Sequence, residues 1–264
     1  MQYHMTIKGL TPLIMDSDGV LAADEVTAWQ KDSKNKGTPK GDDRHPMWKW
    51  ITSLYHDGDH VVMPAANLLK CLMVAAAKIT VPGGNGKEKY TKRLAQSVFF
   101  TDEYFTLTVP VKGNGSRSPI PIAPFLELKQ NSYSEKKDNN EIVSKALMTF
   151  DDHVEFAEQH GFKLLIKRAS PQWNKKHVRV RPMFKSWEFS GVMQVDLKHL
   201  GDEQVFWDII ESAGSRIGLG NWRPSLGAPG PFGVFEVELK DESGRLVKRP
   251  SVKKEKAAKK AKAA

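Results

Sequence analysis

Residues 215–239 read SRIGLGNWRPSLGAPGPFGVFEVEL. Gly218, Gly220, Gly227, Gly230 and Gly233, with Pro224, Pro229 and Pro231, stand between a helical pattern ending near Ala213 and an alternating run over 234–239. Such a composition is not helical: glycine admits positive φ and lets a ligand approach the backbone, while proline stiffens the chain and removes donors. The reading is a shaped loop that joins a helix to a closing strand. Arg216 and Arg223 supply guanidinium forks for phosphate or carboxylate, and Trp222 supplies a flat face on which a base stacks. The competing reading is a long turn whose Trp222 and Phe232 tuck into the core.

Working outward, Asp202 caps a helix carrying Val205, Phe206, Ile209, Ile210 and Ala213, with Gly214 at its end. Residues 177–197 (HVRVRPMFKSWEFSGVMQVDL) form the longest extended pattern, with a bulge expected at Gly191. There Val178 and Val180 face one way and Arg179 and Arg181 the other, which with Lys175, Lys176 and Lys185 makes a basic sheet face or a plain solvated one. Residues 99–111 alternate as a strand, and 65–78 form a buried helix whose one interior charge, Lys70, either snorkels to water or meets a polyanion. Residues 3–10 alternate Tyr3, Met5 and Ile7 with His4, Thr6 and Lys8, the period of a half-buried strand. Two long polar stretches, 16–60 and 112–176, interrupt the pattern, and Trp29, Trp48 and Trp50 mark part of the first as folded.

Without those insertions the order is strand, helix, strand, strand, helix, strand. That is the βαββαβ plan of a ferredoxin-like (RRM-like) α+β fold, here one domain over 1–247. Its open sheet face is where such domains hold single-stranded RNA, and Trp187 and Phe189 are the aromatics that the third strand offers to it.

The formal charge of +9 is unevenly placed. Residues 248–264 hold eight Lys or Arg against Glu255, so this Lys/Ala tail carries +7 and the body only +2. A disordered basic tail gives polyanion reach without sequence readout, so a specific site must lie in local patches of the body. Cys71 is the sole cysteine, which excludes an internal disulfide and a cysteine zinc site and suits a reducing, cytoplasmic setting. No apolar run approaches the roughly 20 residues of a membrane helix. His56, Asp57, Asp59 and His60 crowd into five residues, which favours a solvated turn over a metal site. No P-loop, dinucleotide fingerprint or nucleophile elbow is present, and no cofactor or metal is expected.

The helix MPAANLLKCLMVAAAK after a short valine strand, and IGLGNWRPSLGAPGPFGVFEV between the second helix and the last strand, resemble the RAMP superfamily of CRISPR-associated proteins. The pattern, covering most of 1–240, looks like that of the backbone subunits, whose palm is enlarged after the first strand and again in a thumb. The resemblance implies a non-enzymatic protein that lines up in copies along a single-stranded guide RNA, as a filament or ring, beside other effector subunits. It places palm contacts at Arg216, Trp222, Arg223, Lys70, Arg179 and Arg181, with Arg44 and His45 from the first insertion. Some such subunits cut target RNA with a loop aspartate, for which Asp42 and Asp43 are the candidates. A second branch of the superfamily processes CRISPR RNA, which would draw on His4, His45 or His177. A single-stranded DNA-binding or annealing protein of a phage or mobile element has the same basic tail and abundant tryptophan, and only recognition of a 2′-hydroxyl separates it from the RNA readings.

Overall fold

Tyr3, Met5 and Ile7 are buried while His4 is exposed, so β1 (Gln2–Gly9) forms as its alternation predicts. The computed structural model describes residues 1–17, 20–32, 35, 42–82, 88–111, 113, 115–138, 141–169 and 177–250. The disorder expected of the Lys/Ala tail from 251 onward, and Lys175 and Lys176, lie outside them. After β1 come β2 (Leu13–Ile14), α1 (Val20–Lys31), a 3-10 turn (Met47–Ser53), β3 (Val62–Pro64) and α2 (Ala65–Ala76). Then follow α3 (Thr91–Ser97), β4 (Val98–Phe100), β5 (Tyr104–Thr106), β6 (Thr108–Pro110), β7 (Arg117–Pro119) and α4 (Ala123–Asn131). The hairpin β8 (Tyr133–Asp138) and β9 (Glu141–Ala146) precedes α5 (Phe150–Gln159), β10 (Lys163–Ala169) and β11 (His177–Phe184). The chain closes with β12 (Glu188–Val195), α6 (Leu197–Leu200), α7 (Glu203–Ser212), a π turn (Ala213–Ile217) and β13 (Phe235–Lys240).

The fold is α+β, with helices packed on antiparallel sheet. In the main sheet β13, β1 and β12 are neighbours, and β4 and β6 both pair with the far side of β12. One face is apolar: Met5, Phe189, Met193 and Leu239 join Leu68 and Leu72 of α2 and Phe206 and Ile209 of α7 in a single buried cluster. Each leucine so buried contributes about 1.5–3 kcal/mol. The Tyr3 and Phe206 rings stack at 6.2 Å.

The opposite face is polar and charge-balanced. His4, Ser190, Gln194, Glu236 and Lys240 are exposed there, and Glu238 pairs with both Lys8 (3.1 Å) and Lys240 (3.3 Å). Trp187 and Phe189, expected on this face, are 1% exposed and pack in the core, so they offer no stacking surface.

Four other expectations change. The extended pattern over 177–197 is two strands in different sheets, because Ser186 and Trp187 carry the chain from β11, paired with β10 and β2, to β12 in the main sheet. Arg179 and Arg181 therefore stand on the small β10–β11–β2 sheet and not on the main sheet. Gly191 is not a bulge: it pairs in register with Met5, and a Cβ there would lie 2.4 Å from the Phe105 ring. That close approach also breaks the strand expected over 99–111, since β5 leaves the main sheet to pair with β3 and drops Phe105 onto Phe189, the rings stacked at 5.4 Å. Gly214 does not end its helix, which runs on through the π turn to Gly218; a Cβ at Gly214 would sit 2.2 Å from the Phe235 carbonyl oxygen.

The insertions share the core. Trp50, on the 3-10 turn, is fully buried and meets the rings of Phe125 and Phe162 at 6.0 and 5.8 Å. Its Nε1–H donates to His153 Nδ1 at 3.1 Å, which leaves the proton on Nε2 facing the Ser132 hydroxyl at 3.0 Å. Ser132 in turn donates to the Leu128 carbonyl at 2.7 Å.

Candidate nucleic-acid interface

The glycine-rich loop lies across the link between β1 and β2. Asn221 N–H donates to the Ile14 carbonyl (2.9 Å), Gly233 N–H to that of Pro12 (2.8 Å), and Leu219 N–H to that of Gly233 (2.9 Å). Two glycines are required for this: Gly220 and Gly233 have φ of +72° and +71°, and a Cβ would fall 2.3 Å from the Ile14 oxygen and 1.8 Å from the Leu219 oxygen respectively. The loop is pinned.

Helix α2 faces it. Leu68, Cys71, Leu72, Ala75 and Ala76 fill the core, so Asn67, Lys70 and Val74 turn toward the loop. Cys71 packs beneath, its Sγ 3.4 Å from the Gly218 oxygen, and burial pushes its thiol up to about 12 against the opposing pull of Arg223. The result is a cleft of about 280 Å³ whose polar lining is Asn67, Lys70, Arg223, Asn221, Tyr55 and Asp16.

Arg223 is held by its own loop: Nη1 donates to the Gly220 carbonyl (2.8 Å) and Nε to the Ser225 hydroxyl (3.2 Å). Among the described residues neither Arg223 nor the exposed Lys70 has a carboxylate partner. The one acid in the cleft, Asp16, is engaged by Asn221 Nδ2 (2.7 Å) and Arg181 Nε (2.6 Å). Lys70 and Arg223 thus present uncompensated positive charge across a partly enclosed space, where an anion is screened less than on an open surface.

Behind Asp16 runs a chain of ion pairs. Arg181 Nη1 donates to Asp43 Oδ2 (2.7 Å), and Asp43 Oδ1 accepts from Lys49 (2.8 Å) with Arg179 at 3.5 Å. Burial drives the Asp43 carboxyl up, but Lys49 and Arg181 overcome this and hold it below the usual carboxylate range. Arg44 grips Asp42 through Nε at 2.9 Å, a hydrogen bond that keeps Asp42 low against the effect of burial. Asp43 is fully buried and Asp42 6% exposed, so both loop aspartates singled out from the sequence are structural anchors.

Of the eight predicted residues the cleft unites two, Lys70 and Arg223. Arg181 is joined to it through Asp16, and Arg179 lies one ion pair further on. Trp222 does not line the cleft; its φ is +49°, Lys167 Nζ stands 3.9 Å from its ring centroid, and Phe232 leans on it at 6.4 Å. Arg216 is exposed on the π turn, Arg44 is committed to Asp42, and His45 is half-buried beside it. His4 and His177 sit on different sheets, away from His45 in sequence and element. At 56–60, Asp57 Oδ1 accepts from the backbone of Asp59 and His60, an Asx turn. Asn67, Asn221, Asp16, Tyr55, Lys49 and Lys167 went unpredicted. Asn67 was within reach, since it lies three residues before Lys70 on one helix face; Asp16 carries no local signal.

No family model matches the chain, and no curated protein does. A solved structure titled "Crystal structure of Cmr4" aligns with 91% of this chain and 99% of its own, at 11% identity and a TM-score of 0.31. A superposition at that score does not establish a common fold. No helix among the described residues is long and apolar enough to cross a membrane.

Proposed function

We propose that this chain is a non-enzymatic RNA-binding subunit, a ferredoxin-like palm that grips the backbone of a single-stranded guide RNA between α2 and the 218–233 loop and lines up in copies along it. The observation that carries the reading is the pairing of Lys70 and Arg223 across one cleft, with no carboxylate for either among the described residues. Phosphate suits a fixed guanidinium fork beside a mobile ammonium. The strand order β13-β1-β12-β4/β6, with α2 and α7 on one face, supports a βαββαβ palm, and the sequence pattern shared with RAMP backbone subunits supports the guide-RNA role. The charge-balanced open face favours backbone gripping at the helix-loop cleft over base stacking on the sheet.

The test is fluorescence anisotropy of a labelled 20-nucleotide RNA, and its DNA counterpart, against the full chain and Lys70→Ala/Arg223→Ala. Losing two phosphate contacts flattens the log Kd against log salt slope by about 1.4 on single strands. Affinity at low salt falls on the order of tenfold to a hundredfold, from two charge-assisted bonds of about 1.5–3 kcal/mol each, discounted for exposure. An unchanged slope in a folded variant removes the cleft from the interface. Equal affinity for the DNA moves the chain to the annealing-protein class.

A further inference from the structure

Helix α2 has a second outward stripe. Beside the cleft-facing stripe, Ala66 and Leu69 form one wall of a groove of about 910 Å³, and the run from Val98 to Tyr104 forms the other. Phe99 and Tyr104 remain 53% and 41% exposed on it. Exposed aromatics gathered along one groove are unusual on a surface that has nothing to bind.

The backbone there is open as well. Asp196 N–H donates to the Ser97 carbonyl (2.8 Å), Thr101 N–H to that of Val192 (3.3 Å), and Phe99 pairs with Gln194, so residues 97, 99 and 101 turn their polar groups to β12. Those of Val98 and Phe100 point to the other edge of β4. Of these, only the Val98 N–H finds a partner among the described residues, the Leu94 carbonyl that ends α3. Among the described residues no strand covers that edge.

Charge narrows the choice of occupant. The acids lining the groove are Asp102 and Glu103; they accept hydrogen bonds from Thr101 and Tyr104, and neither pairs with Lys or Arg among the described residues. Among the described residues no Lys or Arg lines it, although the protein carries a formal +9. A polyphosphate is repelled here. The protein's own Lys/Ala tail has basic groups but a single valine, Val252, and no alternation of apolar and basic side chains to set against the aromatic wall.

We propose that this groove docks an extended segment of a partner protein, alternating apolar and basic side chains, which adds as a strand to the edge of β4. Main-chain bonds to Val98 and Phe100 give it register, Phe99 and Tyr104 receive its apolar side chains, and Asp102 and Glu103 receive its Lys or Arg. This surface adjoins the cleft, the two sharing Tyr55 in their linings, and the proposal does not depend on the RNA reading.

The probes are three fluorescein-labelled heptapeptides: Val-Lys-Val-Lys-Val-Lys-Val, the same peptide with Glu for Lys, and the lysine peptide with alternate amides N-methylated. The full chain binds the first at least tenfold more tightly than the other two. Phe99→Ser, and separately Asp102→Asn with Glu103→Gln, each weaken that binding about tenfold; circular dichroism confirms that these surface variants fold. Equal binding of lysine and glutamate peptides, indifference to N-methylation, or retention by the folded Phe99→Ser protein overturns the proposal. A dimer that forms without peptide and is lost in Phe99→Ser also overturns it, since a second copy would then be the occupant.

Discussion

Acid selectively unlocks the aromatic hub around Trp50. His153 is fully buried, accepts a hydrogen bond from Trp50 and faces Ser132, and burial lowers its imidazole to about 4 from an ordinary 6.5, against the weaker pull of Asp152. Between these values the unfolded chain binds a proton that the folded chain refuses. Stability is therefore complete above the unfolded value and falls as pH drops through the window. From pH 7.5 to 5 about 1.5 units of it are crossed, and at ~1.4 kcal/mol per unit the loss is roughly 2 kcal/mol. Urea unfolding of the wild type and His153→Gln at both pH values isolates this residue, because the other histidines titrate alike in the two proteins. The variant accepts from Trp50 without titrating, so it loses about 2 kcal/mol less over the same interval. Parallel losses in the two proteins would refute the assignment.

Two further outcomes concern the loop and its anchor. Gly233→Ala forces a Cβ against the Leu219 carbonyl at positive φ, which costs about 2–4 kcal/mol by thermal or urea unfolding and weakens the proposed RNA binding through the displaced loop. Asp43→Ala removes the acceptor shared by Lys49, Arg181 and the Val180 N–H; because Lys49 and Arg181 keep some access to water, the expected loss is about 2–3 kcal/mol, at the low end for a buried ion pair. Asp43→Asn, which keeps an oxygen for Val180, loses about half as much. A loss under about 0.5 kcal/mol for the alanine variant means that the anchor does not hold the insertion to β11.

Legibility varied with the range of the interaction. β1 and α7 were readable because their burial follows a local period: Met5 and Ile7 two apart, Phe206 and Ile210 four apart. The break in residues 99–111 was not, since it depends on Phe105 filling the space above Gly191, a residue far along the chain. Lys70 and Arg223 were picked singly, as a cation on an apolar helix and a cation in a glycine loop. Their meeting across one cleft, and the withdrawal of Arg44 and Arg179 into ion pairs with Asp42 and Asp43, are facts of long-range packing.

The sequence by itself determined the α+β class, the half-buried first strand, the helix after Asp202 and the non-helical character of the 218–233 loop. Local propensity decides these, since alternation, helical spacing and positive-φ glycines act within a few residues. Only the tertiary structure decided which charges face solvent, because an arginine's availability depends on whether a carboxylate from a distant segment reaches it. Asp16 and Asp43 reach Arg181, and none among the described residues reaches Arg223.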